Sequence, residues 1–163
     1  MLKRHFAVIL LVIAAIFAVA CEDSPEEGLA VFAVSDINGN APVVSTGGAG
    51  ATVPMTFRWR PYNDVDGVIT EAAPHGDFII EHYRVTWTAV TSGATVPAPR
   101  EETIAIFVPV YELVNASIVV ATPAEAAAVA PGSILNAHIE FTAREMGTEQ
   151  DAKFATTTSV TFN

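Results

Sequence analysis

Cysteine occurs once in 163 residues, at Cys21. One thiol makes no intrachain disulfide, so stability has to come from packing and the hydrogen-bond ladder. Lys and Arg total only eight, against 18 Asp and Glu. The resulting formal charge of −10 repels phosphate backbones and argues against nucleic acid as a partner. Long apolar runs are missing too. The apolar stretch Phe6 to Val19 has 14 residues, with Ala20 after it, short of the roughly 20 that cross a bilayer. No Gly-x-Ser-x-Gly and no His-Glu-x-x-His occurs, so the familiar hydrolase and zinc-protease motifs lack their residues. "STGGAGA", 45–51, is glycine-rich, but it has no Lys and no helical pattern after it. It is expected as a flexible connection between strands rather than a phosphate-binding loop. No internal repeat of useful length is visible.

What is present begins at the amino terminus. Lys3 and Arg4 precede the apolar run, and Ala18, Val19 and Ala20 lead into Cys21, where acidic residues begin. A positive start, a short apolar core and small residues at its end describe a secretory signal. The stretch "AIFAVACEDS", 15–24, resembles the bacterial lipobox, with Ala18 in the position usually held by Leu. The resemblance implies cleavage before Cys21, a diacylglyceryl group on its thiol, and fatty acylation of the new amino terminus. Two or more chains anchor stably where one holds only marginally. A lipid-anchored protein of the bacterial cell envelope is therefore expected. Glu22, not Asp, follows the cysteine. The simple inner-membrane retention signal of enteric bacteria is thus absent, and the outer membrane is favoured where two membranes exist.

This divides the chain into a signal peptide (1–20), a lipidated terminus and polar tether "CEDSPEEG" (21–28), and one domain (29–163). Without Lys3 and Arg4, six basic residues face 18 acidic ones, a formal charge of about −12. The remainder is rich in Val, Ile, Phe and Ala and long enough for one core.

Most of that domain alternates with period two. Val53, Met55, Phe57 and Trp59 fall on one face of "ATVPMTFRW", with Pro54 predicting an edge or a bulge. Tyr83, Val85, Trp87 and Ala89 alternate with His82, Arg84, Thr86 and Thr88. "ILNAHIEFTARE" sets Leu135, Ala137, Ile139, Phe141 and Ala143 against polar neighbours. "GLAVFAV", "TIAIFVPV", "SIVVAT" and "FATTTSVTF" complete seven strand segments bounded by turn clusters. "PAEAAAVAPG", 123–132, is the one helical segment, a short crossover. The expectation is an all-β, antiparallel, two-sheet sandwich of about seven strands, with Trp87 and Phe141 buried together between the sheets.

The order of elements resembles immunoglobulin-like and fibronectin type III-like domains, with Trp87 where such folds often bury an aromatic. The bridging cysteines of antibody domains are absent. "IEHYRVTWTAV", "SIVV" and "AHIEFTARE…TTTSVTF" are similar to segments of a group of uncharacterised bacterial lipoproteins. That resemblance implies a fold without an activity.

Residues with chemistry are few. Asp64, Asp66 and Glu71 around Gly67 offer oxygen donors suited to Ca²⁺, but the EF-hand spacing fails and an Asx-type turn is the preferred reading. Asp36, Asn38 and Asn40 have the same alternatives. His75, His82 and His138 share no zinc motif. Glu81, Glu140 and the pair Glu101 and Glu102 are carboxylates that glycoside hydrolysis would need in facing pairs. Trp59, Trp87, Tyr83, Phe57 and Phe141 lie on core faces, which leaves Tyr62 and Tyr111 as candidates for surface stacking on a sugar.

A non-catalytic binding or structural module of the envelope is expected, without cofactor or metal. Its membrane contact is the lipid, and its partner another envelope protein or surface component. A Ca²⁺- or carbohydrate-binding surface module is the alternative. The expected contact surface is acidic: Asp64, Asp66, Glu71, Glu101, Glu102, Glu145, Glu149 and Asp151, on loops far from the tether. Eight tether residues at about 3.5 Å each keep the domain within roughly 30 Å of the bilayer.

Overall fold

A computed structural model describes residues 30–35, 43–46, 48–61, 76–147 and 151–163. They form eight strands and one helix: β1 (Ala30–Ser35), β2 (Val43–Ser45), β3 (Ala51–Pro61), β4 (Phe78–Ala89), β5 (Arg100–Val108), β6 (Val114–Ala121), α1 (Pro123–Ala128), β7 (Ile134–Glu145) and β8 (Asp151–Phe162). The all-β expectation holds. Two sheets form, one of three strands in the order β1-β3-β6 and one of five in the order β2-β8-β7-β4-β5.

Alternation decides which side chains face inward. Val53, Met55, Phe57 and Trp59 on β3 are buried, as are Tyr83, Val85 and Trp87 on β4 and Leu135 to Ala143 at every second position of β7. Each large apolar side chain removed from water contributes about 1.5–3 kcal/mol. The sheets meet through rings. Phe57 on β3 lies 5.2 Å from Phe141 on β7, edge to face, and Trp59 lies 4.7 Å from Phe78 on β4. Tyr83 and Phe154 also pack against Phe141.

Four details differ from the sequence expectation or sharpen it. β2 adds an eighth strand, and it runs parallel to β8, with Val43 opposite Val160, so the sheets are not wholly antiparallel. β4 begins at Phe78 and shifts register between Ile80 and His82. Glu81 is the extra residue against β7, and the inward phase moves from Phe78 and Ile80 to Tyr83. A one-residue insertion swaps the two faces of a strand, which is why period two alone misses this start. Pro54 sits in a middle strand, but the described pairing with β1 stops at Thr56, so its missing donor disrupts no ladder there. Finally, Trp87 and Phe141 are both buried, but apart: Trp87 stands opposite Ala137 and Phe141 opposite Tyr83. Four residues of strand separate those positions, about 13 Å. Trp87 packs on Phe162 instead.

The strands place the loops at two ends. Ala30 pairs with Pro61, and Phe78 with both Val108 and Glu145. These mark the proximal end, where β1 begins. The distal end carries the 46–50 and 90–99 connections and the 122–133 crossover. Gly50 anchors that end. Its φ is +84°, and a Cβ there would lie 2.6 Å from the Ala121 carbonyl oxygen, so a side chain is excluded.

Arg100 fastens the seam between the sheets. From the first residue of β5 it donates to the β6 carbonyls of Val119 (2.8 Å) and Val120 (3.3 Å). It also pairs with Glu102 at 2.7 Å and with Glu125 of α1 at 3.2 Å. Burial alone would pull its guanidinium down, but hydrogen bonds with Tyr83 and Glu102 and the charge of Glu125 outweigh that and hold it above its ordinary value. Glu125 serves α1 as well. Thr122 caps the helix through the Glu125 amide (3.2 Å), and the Glu125 carboxylate accepts from the Thr122 amide (2.7 Å). This reciprocal capping box explains why so short a helix forms.

Candidate functional site

The outer face of the five-stranded sheet collects the charged residues whose contacts long-range register decides. Arg84 on β4 stands between Glu101 on β5 and Glu140 on β7. One step along, His82 stands between Thr103 and Thr142, and Thr142 faces Lys153 on β8. His82, Arg84, Glu101, Glu140, Thr142 and Lys153 line a shallow depression of about 130 Å³. Alternation forces these polar side chains outward, because their neighbours Tyr83, Val85, Ile139 and Phe141 are in the core.

Neighbouring rows are tied together. His138 contacts the Thr157 hydroxyl at 3.2 Å, Ser159 donates to Asn136 at 2.7 Å, and Arg144 donates to Glu81 at 3.0 Å. The Arg84 row is not, and neither is Lys153 in the row beside it. Arg84, Glu101, Glu140 and Lys153 make no ion pair or side-chain hydrogen bond among the described residues. Two carboxylates and two cations thus face solvent around one depression, with their charges available to a partner. Glu101 and Glu140 are two strands apart, about 10 Å at the backbone. The face is open to solvent, with Glu101, Arg84 and Lys153 exposed.

The other sequence candidates are scattered. Cys21, Asp36, Asn38, Asn40, Tyr62, Asp64, Asp66, Glu71, His75 and Glu149 lie outside the described residues, as do the signal and tether. Glu145, expected on the acidic surface, is buried and accepts a hydrogen bond from the Gly76 amide at 2.8 Å. Its position continues the inward phase of Leu135 to Ala143, a signal that the alternation itself carries. Glu102 is spent on Arg100. Glu101 sits mid-sheet, whereas Asp151 begins β8 at the proximal end, opposite Arg144. The strand ends that bracket 62–75 and 148–150 are proximal too. The described acids of the expected surface therefore lie apart: Glu101 mid-sheet, Glu145 in the core and Asp151 at the proximal end of β8. Tyr111 is half-buried in a turn with φ of 64° and donates its amide to the Trp59 carbonyl, so it is no open stacking platform. Among the described residues, no three of His, Cys, Asp and Glu are grouped to hold a metal ion. No described helix is long and apolar enough to cross a membrane.

A second concavity, of about 250 Å³, lies at the distal end between β2, α1 and the end of β8. Ser45, Ala126, Val129, Pro131 and Phe162 are among its walls. Ser45 is 1% exposed, and its hydroxyl has no hydrogen-bond partner among the described residues. Such a buried, unsatisfied group costs about 1–3 kcal/mol. Sequence reasoning missed this site, because β2 is too short for a period to show and its parallel partner lies at the far end of the chain.

No protein-family model matches the chain, and no curated protein matches it in sequence.

Proposed function

We propose that the chain is a lipid-anchored module of the bacterial cell envelope, an immunoglobulin-like sandwich that acts by binding another envelope protein or surface component rather than by turnover. The observation that carries the binding role is the set of charges without ion pairs among the described residues, Glu101, Arg84 and Glu140 in one row and Lys153 in the next, around one depression. Charges left open on a rigid sheet give a partner's complementary side chains orientation and register. The fold reading draws support from strand order. β1-β3-β6 corresponds to the A-B-E neighbours of that fold and β8-β7-β4-β5 to G-F-C-C′, with Trp87 buried on the strand that would be C.

The anchoring reading rests on the residues around Cys21. β1 begins at the proximal end, so a tether on residues 21–28 holds that end toward the bilayer. The net negative charge then pushes the domain off anionic headgroups rather than turning the acidic loops outward. The sheet face stands to the side, open to a neighbour in the same membrane.

Two measurements test the proposal. Metabolic labelling with a fatty-acid analogue marks the wild type and not Cys21→Ala; an unlabelled wild type in the soluble fraction ends the anchoring reading. Crosslinking in cells captures a partner that Arg84→Glu with Lys153→Glu loses, with melting temperature unchanged. Crosslinks that survive the double reversal remove the sheet face from the proposal.

A further inference from the structure

We propose that the distal concavity binds a small, uncharged aromatic alcohol, its ring against Phe162 and Val129 and its oxygen on the Ser45 hydroxyl. Four observations set this chemistry. The walls are mostly apolar and small: Ala126, Ala127, Val129, Pro131 and Phe162. Among the described residues no charged side chain lines the site, and Asn163 is the one polar residue there besides Ser45, so an ionised ligand would lose its hydration without compensation. At its buried side stands Ser45, whose hydroxyl, both donor and acceptor, is unpartnered. The volume fits a ring: an apolar cavity of about 150 Å³ takes up benzene, and this one, about 250 Å³ and open on one side, has room for a ring with a substituent.

A second orphan donor stands at the same end. Trp87 Nε1 is buried without a partner, and its ring packs 5.9 Å from that of Phe162. Such sites usually pair an apolar wall with a few polar groups that fix orientation. Here Ser45 is that group, held by the pairing of β2 with β8, in which Ser45 lies opposite Phe162. The Asn163 amide donates to the Ser45 carbonyl at 2.8 Å and fixes the backbone behind it. The inference is independent of the envelope role and of the charged sheet face, which lies on another part of the molecule.

Phenol and toluene are the probes, titrated into the purified full chain and read from amide chemical shifts of Ala126, Ala127, Val129 and Phe162. Phenol is expected to shift these signals saturably and to bind about fivefold to tenfold more tightly than toluene, the value of one hydrogen bond. Ser45→Ala brings phenol down to the toluene level and leaves toluene unchanged. Ala127→Phe, at an exposed position on the rim, abolishes both with the melting temperature retained. The proposal is overturned if phenol gives no saturable shift, if phenol and toluene bind alike, or if Ser45→Ala leaves phenol binding intact.

Discussion

Trp59 and Trp87 are the two tryptophans of the chain, and they stand at opposite ends of one core. Trp59, at the proximal end, donates its indole N–H to the Val108 carbonyl at 3.1 Å, and its own carbonyl takes the Tyr111 amide. Nearby, Glu145 satisfies the Gly76 amide and Asp77 accepts from the Val110 amide. Phe57, Phe78, Phe141 and Phe154 fill the space between. Trp87, at the distal end, packs on the Phe162 ring, and among the described residues its N–H and the Ser45 hydroxyl nearby have no hydrogen-bond partner. These proximal groups, the Trp59 indole, the Gly76 amide and the Val110 amide, each find an acceptor within the fold. The distal end carries two buried polar groups, Ser45 Oγ and Trp87 Nε1, that have no hydrogen-bond partner among the described residues.

The largest effect should come from the crowded end. Phe141→Ala removes a ring that touches Phe57, Tyr83 and Phe154 and should cost about 3–5 kcal/mol, enough to abolish a cooperative thermal transition in a domain of ordinary stability. A Phe141→Ala protein melting within a few degrees of wild type would show that this end is not closely packed. Next comes the direct comparison of the tryptophans. Trp59→Phe orphans the Val108 carbonyl, whereas Trp87→Phe removes a donor that was never satisfied. Urea denaturation should find Trp59→Phe the more costly by about 1–3 kcal/mol; equal costs would erase the distinction between the ends.

Smaller again is the cap of α1, which belongs to the distal end. Thr122→Ala should lower stability by about 1 kcal/mol, and more than Ala127→Ser on the exposed side of the same helix, in the same denaturation assay. The Arg100 seam adds a pH test. A cation held above its ordinary value stabilises below its unfolded-state value and loses that contribution only as pH rises through the folded one, above the working range. The stability difference between wild type and Arg100→Met should therefore stay flat from about pH 6 to 9, and a slope in that window would implicate another group. Smallest is Ser45→Ala, which removes an unpartnered hydroxyl. Its stability should remain within about 0.5 kcal/mol of wild type, or rise; a large loss would mean the hydroxyl has a partner after all.

Much of the fold could be read from alternation, because period two and a buried face are local facts. It placed the inward residues of β3, β4 beyond its bulge, and β7, and the capped helix was visible in Pro123 and the alanines after it. What it could not supply were facts set by distant partners. Three residues of β2 carry no period, and nothing local says that they pair in parallel with β8. The bulge at Glu81 hides Phe78 and Ile80, since a strand that changes phase reads as two fragments. At the site the division is the same. That Arg84 faces outward was legible, but that Glu101 and Glu140 flank it depends on two strand registers. Glu145 was misjudged although its phase along β7 pointed inward, because its charge was given more weight than its position.

The place of β8 also says when this domain can exist. β8 lies inside the five-stranded sheet, between β7 and β2, so a strand near the beginning of the domain has no sheet to join until residues 160–162 arrive to receive it. Pairing across such a separation in the chain is slow, because the loop must close before any contact rewards it. Until β8 is in place, β2 lacks the strand it pairs with.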